Sequence, residues 1–456
     1  MLNEEEEGAE GAIGNDLTWR EEPRRELLRL SWPIAVSMVS YAVMTLVDTL
    51  FVGRLGPSAL AGVGLGGVAA FTALCFPMGL LRGVKVNVSQ AVGAGRPSEA
   101  RRQVSAGVLV AVVLGTVLLL AGFGIAAALP YITASEAAGR AATSYTWIRL
   151  LGTPLVLIYV ALREGCYGVG DSRSPMVAAV AGNITNIALD TLFIVVLEWG
   201  VAGAAWASVA GHVLEAAILL YRGRNEGWVW PARRDLRALW RVGVPTGVQF
   251  LLEVGAFAVL ATLLSALSEH EMAAHQIALQ VIHFTFLPAL AVSEAVSVLA
   301  GQAVGARRDE LVHRVARDGM WVAGAYAALC TIVLVGFANP IVSAFTDEIS
   351  LRASARNLLY VAAVFQIADA ANVIARGALR GVGDVRYAAA LGIITAWVCT
   401  PPLTWLLGWE LGFGALGGWI GLCLEIIAGA ALLWVRLVRN GWKRAAHESR
   451  LALSTA

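Results

Sequence analysis

The chain has 456 residues, of which 58% are apolar and 15% charged, with a mean hydropathy of +0.68 and a formal net charge of +1. A soluble domain carries about 25% charged residues, so a soluble globular protein is excluded and a polytopic membrane protein is indicated. The near-neutral charge gives no argument for a polyanionic partner, and no nucleic acid is expected. The five cysteines lie scattered in apolar segments, which reads as small buried side chains rather than a metal site or disulfide framework.

The first 25 residues contain EEEE and little apolar matter. They lack the basic start and apolar run of a secretory signal, and read as a disordered acidic tail. Twelve apolar runs of spanning length follow. They are Ser31–Val52, Ala59–Leu81, Val104–Leu129, Ala141–Leu162, Pro175–Leu197, Val201–Leu220, Val242–Leu267, Met272–Leu299, Met320–Pro340, Leu358–Ile374, Tyr387–Leu407 and Phe413–Leu437. Each is near the roughly 20 residues that a helix needs to cross a bilayer. The fold class expected is therefore an all-α membrane protein. Residues 222–241 read as a basic cytosolic linker, and residues 441–456 as a cytosolic tail.

Basic residues set the orientation. Alternate loops hold Arg96, Arg101 and Arg102; Arg163 and Arg173; Arg222 to Arg241; Arg307 to Arg317; and Arg376, Arg380 and Arg386. The opposite side has only Arg54, Arg140, Arg149, Arg352 and Arg356. Both termini are thus expected in the cytosol, with the chain multi-pass in the plasma membrane.

An internal repeat organises the spans. Ser89–Arg102 (SQAVGAGRPSEARR) echoes Gly301–Arg314 (GQAVGARRDELVHR), and Tyr167–Arg173 echoes Arg380–Arg386. Gly203–Ala207 weakly echoes Leu416–Ile420. The offsets agree: 302 − 90 = 212, 381 − 168 = 213 and 419 − 206 = 213. Two lobes of six spans follow, residues 26–221 and 242–440. An even number of spans per lobe makes them parallel, related by a pseudo-two-fold along the membrane normal, with a cleft between them.

Charges inside the spans mark candidate chemistry. A carboxylate at membrane depth costs about 2.5–3.5 kcal/mol on insertion scales and is retained for a reason. In span one, Tyr41, Met44, Thr45 and Asp48 share a helix face, read as a cavity wall. Asn183, Asn186 and Asp190 form one stripe on span five, and Ser208 lies on span six. Carboxylates, a carboxamide and a hydroxyl suit a hard cation such as Na⁺, or a shared proton. Pro33 is a point where span one can bend. In the second lobe, Gln249 and Glu253 lie one turn apart, as do Gln366, Asp369 and Asn372. Gln276, Gln280 and His283 make a stripe on span eight. These acids suit cation or proton coupling, or direct binding of an organic cation. Glu215 and Glu425 read as matching interhelical ties, while Arg82, Lys85 and Glu294 read as interfacial groups or as partners of one another. GVGD occurs twice, at Gly168–Asp171 and Gly381–Asp384. Without a following G-K-[ST] it is a turn, not a phosphate loop.

Several stretches together resemble the multidrug and toxic compound extrusion (MATE) family. They are VDTLFVGRLGPSALAGVGLG, SQAVGAGRPSEARR, GVGDSRSPM with GNITNIALD, AAHQIALQ and ALRGVGD. The resemblance, to NorM- and DinF-like members, covers about Arg25 to Arg439. It implies export of drugs or metabolites driven by inward H⁺ or Na⁺, with no other cofactor. Carried over by position, Asp48, Asn186 and Asp190 match the first-lobe cation site, with Ser208 where relatives often have Thr. Pro33 matches the bending proline, and Glu253 with Asp369 match the second-lobe acidic pair. Tyr41, Met44, Gln249, Gln276, Gln280, His283 and Gln366 are then the expected substrate-cleft residues, the partners small amphipathic or cationic molecules, and the protein a monomer. Three other readings are open: a flippase of lipid-linked precursors or polysaccharide, which would need extra spans and a cationic cleft; an intramembrane carboxylate enzyme, for which no nucleophile or metal motif is present; and a sensor or receptor, which would bind without gradient-dependent flux.

Overall fold

The computed structural model describes residues 17–132, 135–224 and 227–454. Among these residues all regular structure is helical. The helices are α1 (Pro23–Gly53), α2 (Pro57–Gly93), α3 (Pro97–Ala128), α4 (Glu136–Leu151), α5 (Thr153–Val169), α6 (Arg173–Asp190) and α7 (Gly200–Gly223). Then come α8 (Arg233–Leu267), α9 (Glu269–Gly305), α10 (Glu310–Gly336), the short α11 (Ala338–Ser343), α12 (Ile349–Gly381), α13 (Val385–Leu403), α14 (Ala415–Val438) and α15 (Lys443–Ser454). Among the described residues eleven helical spans are long and apolar enough to cross a membrane, and α4 with α5, bent by 49°, meet the same test when taken as one span, the twelfth. All twelve expected spans are present.

The helix ends follow from turn chemistry. Proline opens α1, α2 and α3, where a missing N–H costs nothing and φ is already set. Each GVGD motif closes a helix on a left-handed glycine, Gly170 at φ +87° and Gly383 at φ +89°. In the first copy Asp171 Oδ1 then accepts the N–H groups of Arg173 and Ser174 at 3.1 and 3.0 Å, capping α6. In the second, burial pushes the Asp384 carboxyl up, while the Arg436 guanidinium at 2.9 Å pulls the other way. The repeat extends to a further detail: π-helical turns begin at Thr191 after α6 and at Thr404 after α13, and 404 − 191 = 213.

Packing divides the chain into two units. One holds the described chain up to Trp32, Ser89–Arg96, and everything from Val248 onward; the other holds Pro33–Val88 and Pro97–Gly247. The expected boundaries at 221 and 242 are therefore displaced. Crossings fall inside helices, at Trp32–Pro33 in α1 and Gly247–Val248 in α8. Each lies beside a helix proline, Pro33 and Pro245, which the repeat relates (245 − 33 = 212).

Three segments read as linker or tails are more ordered than expected. Part of the linker is the first turns of α8, where buried Asp235 accepts the Ala232 N–H at 2.8 Å and Gln103 Nε2 at 3.3 Å. In the N-terminal tail, residues 1–16 lie outside the described chain, but Trp19 is buried and donates to Gln302 Oε1 at 2.8 Å. Arg24 pairs with buried Asp318 at 3.0 Å. At the other end, Trp442 and Ala446 are fully buried, Ser449 Oγ donates to Gln90 Oε1 at 2.6 Å, and Arg450 grips Asp309 with both terminal nitrogens. The two repeat glutamines, Gln90 and Gln302, thus each receive one end of the chain. Trp19→Phe keeps the ring but leaves Gln302 Oε1 without its donor. The loss expected is about 1–3 kcal/mol, read as a fall of a few degrees in the melting midpoint of the detergent-solubilised protein.

Candidate cation sites in the two lobes

The first-lobe site is built by close approach of α6 and α7. Gly182 and Gly211 lie face to face, with no room for a Cβ on either. This brings Asn186 to Ser208, whose Oγ lies 3.5 Å from Asn186 Nδ2 and donates to Ala204 O at 3.1 Å. Asn183 Nδ2 donates to Ser40 Oγ at 2.8 Å, tying α6 to α1. That tie turns Asp48 of α1 towards Asp190, and the two carboxyls stand within hydrogen-bonding range of each other. Asp190, Asn186 and Ser208 are buried at 0%, 1% and 4% exposure, and Asp48 is half-buried. Asp48 Oδ1, both Asp190 oxygens and Asn186 Oδ1 are shielded from solvent and accept no hydrogen bond from a protein donor. Asp190 is also the last α-helical residue before the π turn, a distortion common at functional sites.

A basic group missed by the sequence reading also faces this site. Arg149, counted there among the loop residues, lies within α4 and interacts electrostatically with Tyr145, Tyr41 and Asp48. Its spacing of one helical turn from Tyr145 was the available signal. Pro33 lies inside an unbroken α1, where Ser37 Oγ donates to Pro33 O at 2.9 Å. Such back-bonding to the preceding turn weakens and bends a helix.

In the second lobe, Glu253 Oε1 accepts from Gln249 Nε2 at 2.8 Å and from Arg376 Nη1 at 2.7 Å. Arg380 Nη2 donates to Gln249 Oε1 at 3.1 Å. Asp369 feels the charges of Arg376 and Glu425, and Glu425 those of Glu253 and Arg376. Glu425 also accepts from Thr400 Oγ1. Glu253 and Asp369 therefore share a cluster with a third acid, Glu425. At the repeat offset Glu425 corresponds to His212, since 425 − 213 = 212, and not to Glu215. Glu215 is bound by His212 Nδ1 at 2.8 Å on its own helix, and it also interacts electrostatically with Tyr159 of α5 and Arg149 of α4.

The remaining expected cleft residues divide. Tyr41, Gln276, Gln280 and His283 are exposed on their helices. Met44, Gln249 and Gln366 are instead buried, at 6%, 0% and 3% exposure. Gln249 is consumed by Glu253 and Arg380, and Gln366 Nε2 by Thr285 Oγ1 at 2.7 Å. His275 is a core histidine bonded to Trp419 Nε1 at 3.1 Å. Arg163, Arg376 and Arg380, assigned to cytosolic loops, all lie within helices. Arg163 binds buried Glu164 at 2.9 Å and Lys85 approaches the same carboxylate at 3.7 Å, so Lys85 is drawn to α5.

The MatE family model matches the chain twice, over residues 33–192 and residues 245–406. The chain belongs to the MatE family. The two matches begin at Pro33 and at Pro245, one repeat offset apart. Relatives include proteins described as probable multidrug resistance protein NorM. The one from Bradyrhizobium diazoefficiens is 32% identical over 444 residues, covering 90% of this chain and 92% of that protein. The one from Pseudomonas syringae pv. tomato is 29% identical over 435 residues, covering 89% and 93%. Among solved structures, the outward-facing conformation of a multidrug resistance MATE family transporter has a TM-score of 0.86 at 23% identity, covering 92% of this chain and 97% of that one. A MOP superfamily transporter from Pyrococcus furiosus, whose binding pocket is described as of reverse polarity, has a TM-score of 0.87 at 22% identity, covering 93% and 96%. As a MatE protein with two six-span lobes, the chain is a multi-pass transporter of small molecules and not an enzyme.

Proposed function

We propose that the protein is a secondary antiporter of the plasma membrane, working as a monomer with both termini cytosolic. It exports amphipathic and cationic compounds by alternating access against inward H⁺ or Na⁺. The observation that carries this reading is the set of four buried, donor-less oxygens on Asp48, Asn186 and Asp190. Buried acceptors without donors are costly, and two facing carboxylates add repulsion. A proton shared between the acids satisfies two of these oxygens and removes one charge. A Na⁺ held by Asp48, Asn186, Asp190 and the Ser208 hydroxyl satisfies them together. Either cation changes what α1 gains by lying against α6, and the helix has its weak point at Pro33. The membrane potential is an adequate source, since one charge moved through 100 mV releases about 2.3 kcal/mol.

Purified protein in liposomes tests this with a fluorescent organic cation trapped inside and the two gradients imposed separately. Export that follows one gradient and collapses when it is dissipated is the expected result. Export indifferent to both gradients would overturn antiport.

A further inference from the structure

We infer that Arg376 is a specificity-determining residue of the second lobe: a tethered counter-ion that occupies Glu253 and must be displaced before an organic cation can bind there. The inference rests on the antiport reading for the meaning of that displacement, but not for its test. A guanidinium within a membrane-spanning helix is costly and is retained where it has a task. Arg376 lies within α12, and its Nη1 reaches Glu253 on α8 at 2.7 Å. The pair is built rather than incidental. Gln249 fixes the carboxylate from the preceding turn of α8. Gly392 on α13 clears the space, since a Cβ there would meet Gln249 Nε2 and Glu253 Oε1 at 2.6 Å and Arg376 Nη2 at 3.4 Å.

The pair is also reachable. The side chains of Glu253 and Arg376 are 21% and 17% exposed, unlike the buried Lys85–Glu164 pair at 4% and 3%. Glu253 is faced by Arg376 from α12 and Glu425 from α14; Asp369 of α12 interacts with that same Arg376 and Glu425, and Arg380 of α12 with Gln249. Three carboxylates there face one guanidinium in direct contact with Glu253 and a second held by Gln249. A mobile cation with N–H donors can take the same place on Glu253, and it competes with a group that diffusion never removes. Arg376 thereby sets how strongly charged and how well shaped a compound must be to enter the site.

The test is ethidium binding to detergent-purified full-length protein, followed by fluorescence polarisation. Arg376→Gln is expected to tighten binding about tenfold or more, since an adjacent opposite charge is worth one to three decades. Arg376→Lys, which keeps the charge, stays near the wild-type affinity. Glu253→Gln in the Arg376→Gln background abolishes the gain. Unchanged, weakened or absent binding in Arg376→Gln overturns the inference, and a misfolded variant would weaken binding rather than tighten it. Because no gradient is present, failure of antiport in liposomes leaves this result standing, and the reverse holds as well.

Discussion

Asp190→Asn lowers gradient-driven export about fifty- to hundredfold while the protein stays folded. The magnitude is that of a typical coupling free energy between a driving ion and a transported ligand. The substitution keeps the shape of a fully buried side chain that stands opposite Asp48. It removes one of two facing carboxyls and supplies an amide donor for Asp48 Oδ1, which otherwise has none. Stability in detergent is therefore expected to hold or to rise slightly, because repulsion between like charges is lost. Export fails for a different reason: the remaining acid no longer needs a shared proton or a Na⁺. Asp48→Asn produces the same loss, and the double variant is no worse than either single one, since the two groups act as one unit. Initial export rates in liposomes, alongside melting midpoints, decide it. Full export by either single variant, or additive losses in the double, would remove the Asp48–Asp190 pair from the mechanism.

That pair was legible because an acid inside an apolar run has few explanations, and one helical stripe aligned Asn183, Asn186 and Asp190. The twelve spans and the repeat offset were legible for a similar reason, as long patterns leave little room for accident. Arg376, Arg380 and Arg163 were not, because counting basic residues assigns any arginine near the end of an apolar run to a loop. Helices α2 and α9 run for 37 residues each, well beyond the roughly 20 that cross a bilayer. Charged and amide groups are carried along inside such extended helices. Lys85 and Gln90 are interior groups on this account, although the sequence around them looks interfacial. Met44, Gln249 and Gln366 show the opposite error. Sharing a face with a site residue does not settle whether a side chain reaches the cavity or is consumed by a neighbour, as Gln249 is by Glu253. The docked ends were hidden because single residues, Trp19 and Ser449, make the decisive contacts from stretches with no apolar pattern.

The largest expected loss of stability lies at the glycines of the duplicated QAVGA segment. Gly93 ends α2 and Gly305 ends α9, and 305 − 93 = 212. A Cβ on Gly93 would run into the carbonyl of Gln302, and one on Gly305 into the carbonyl of Gln90. The two helix ends therefore interlock backbone against backbone, each glycine on the other's repeat glutamine. Those glutamines also hold Trp19 and Ser449, so a shift at the crossing disturbs both docked ends together. Neither obstacle is the far end of a flexible side chain, so the helices must separate to admit a larger residue. Overpacking of this kind costs about 1–3 kcal/mol and occasionally more, and the lost contacts of both ends add to it. Gly93→Val and Gly305→Val should each lower the melting midpoint by about 10 °C or more, on the scale of 2–4 °C per kcal/mol for larger domains. Gly64→Val is the control: it sits in α2 with nothing within 4 Å of an added Cβ, and valine there costs little or gains slightly in helix propensity. If Gly93→Val melts like the Gly64→Val control, the helix ends do not cross at this glycine pair.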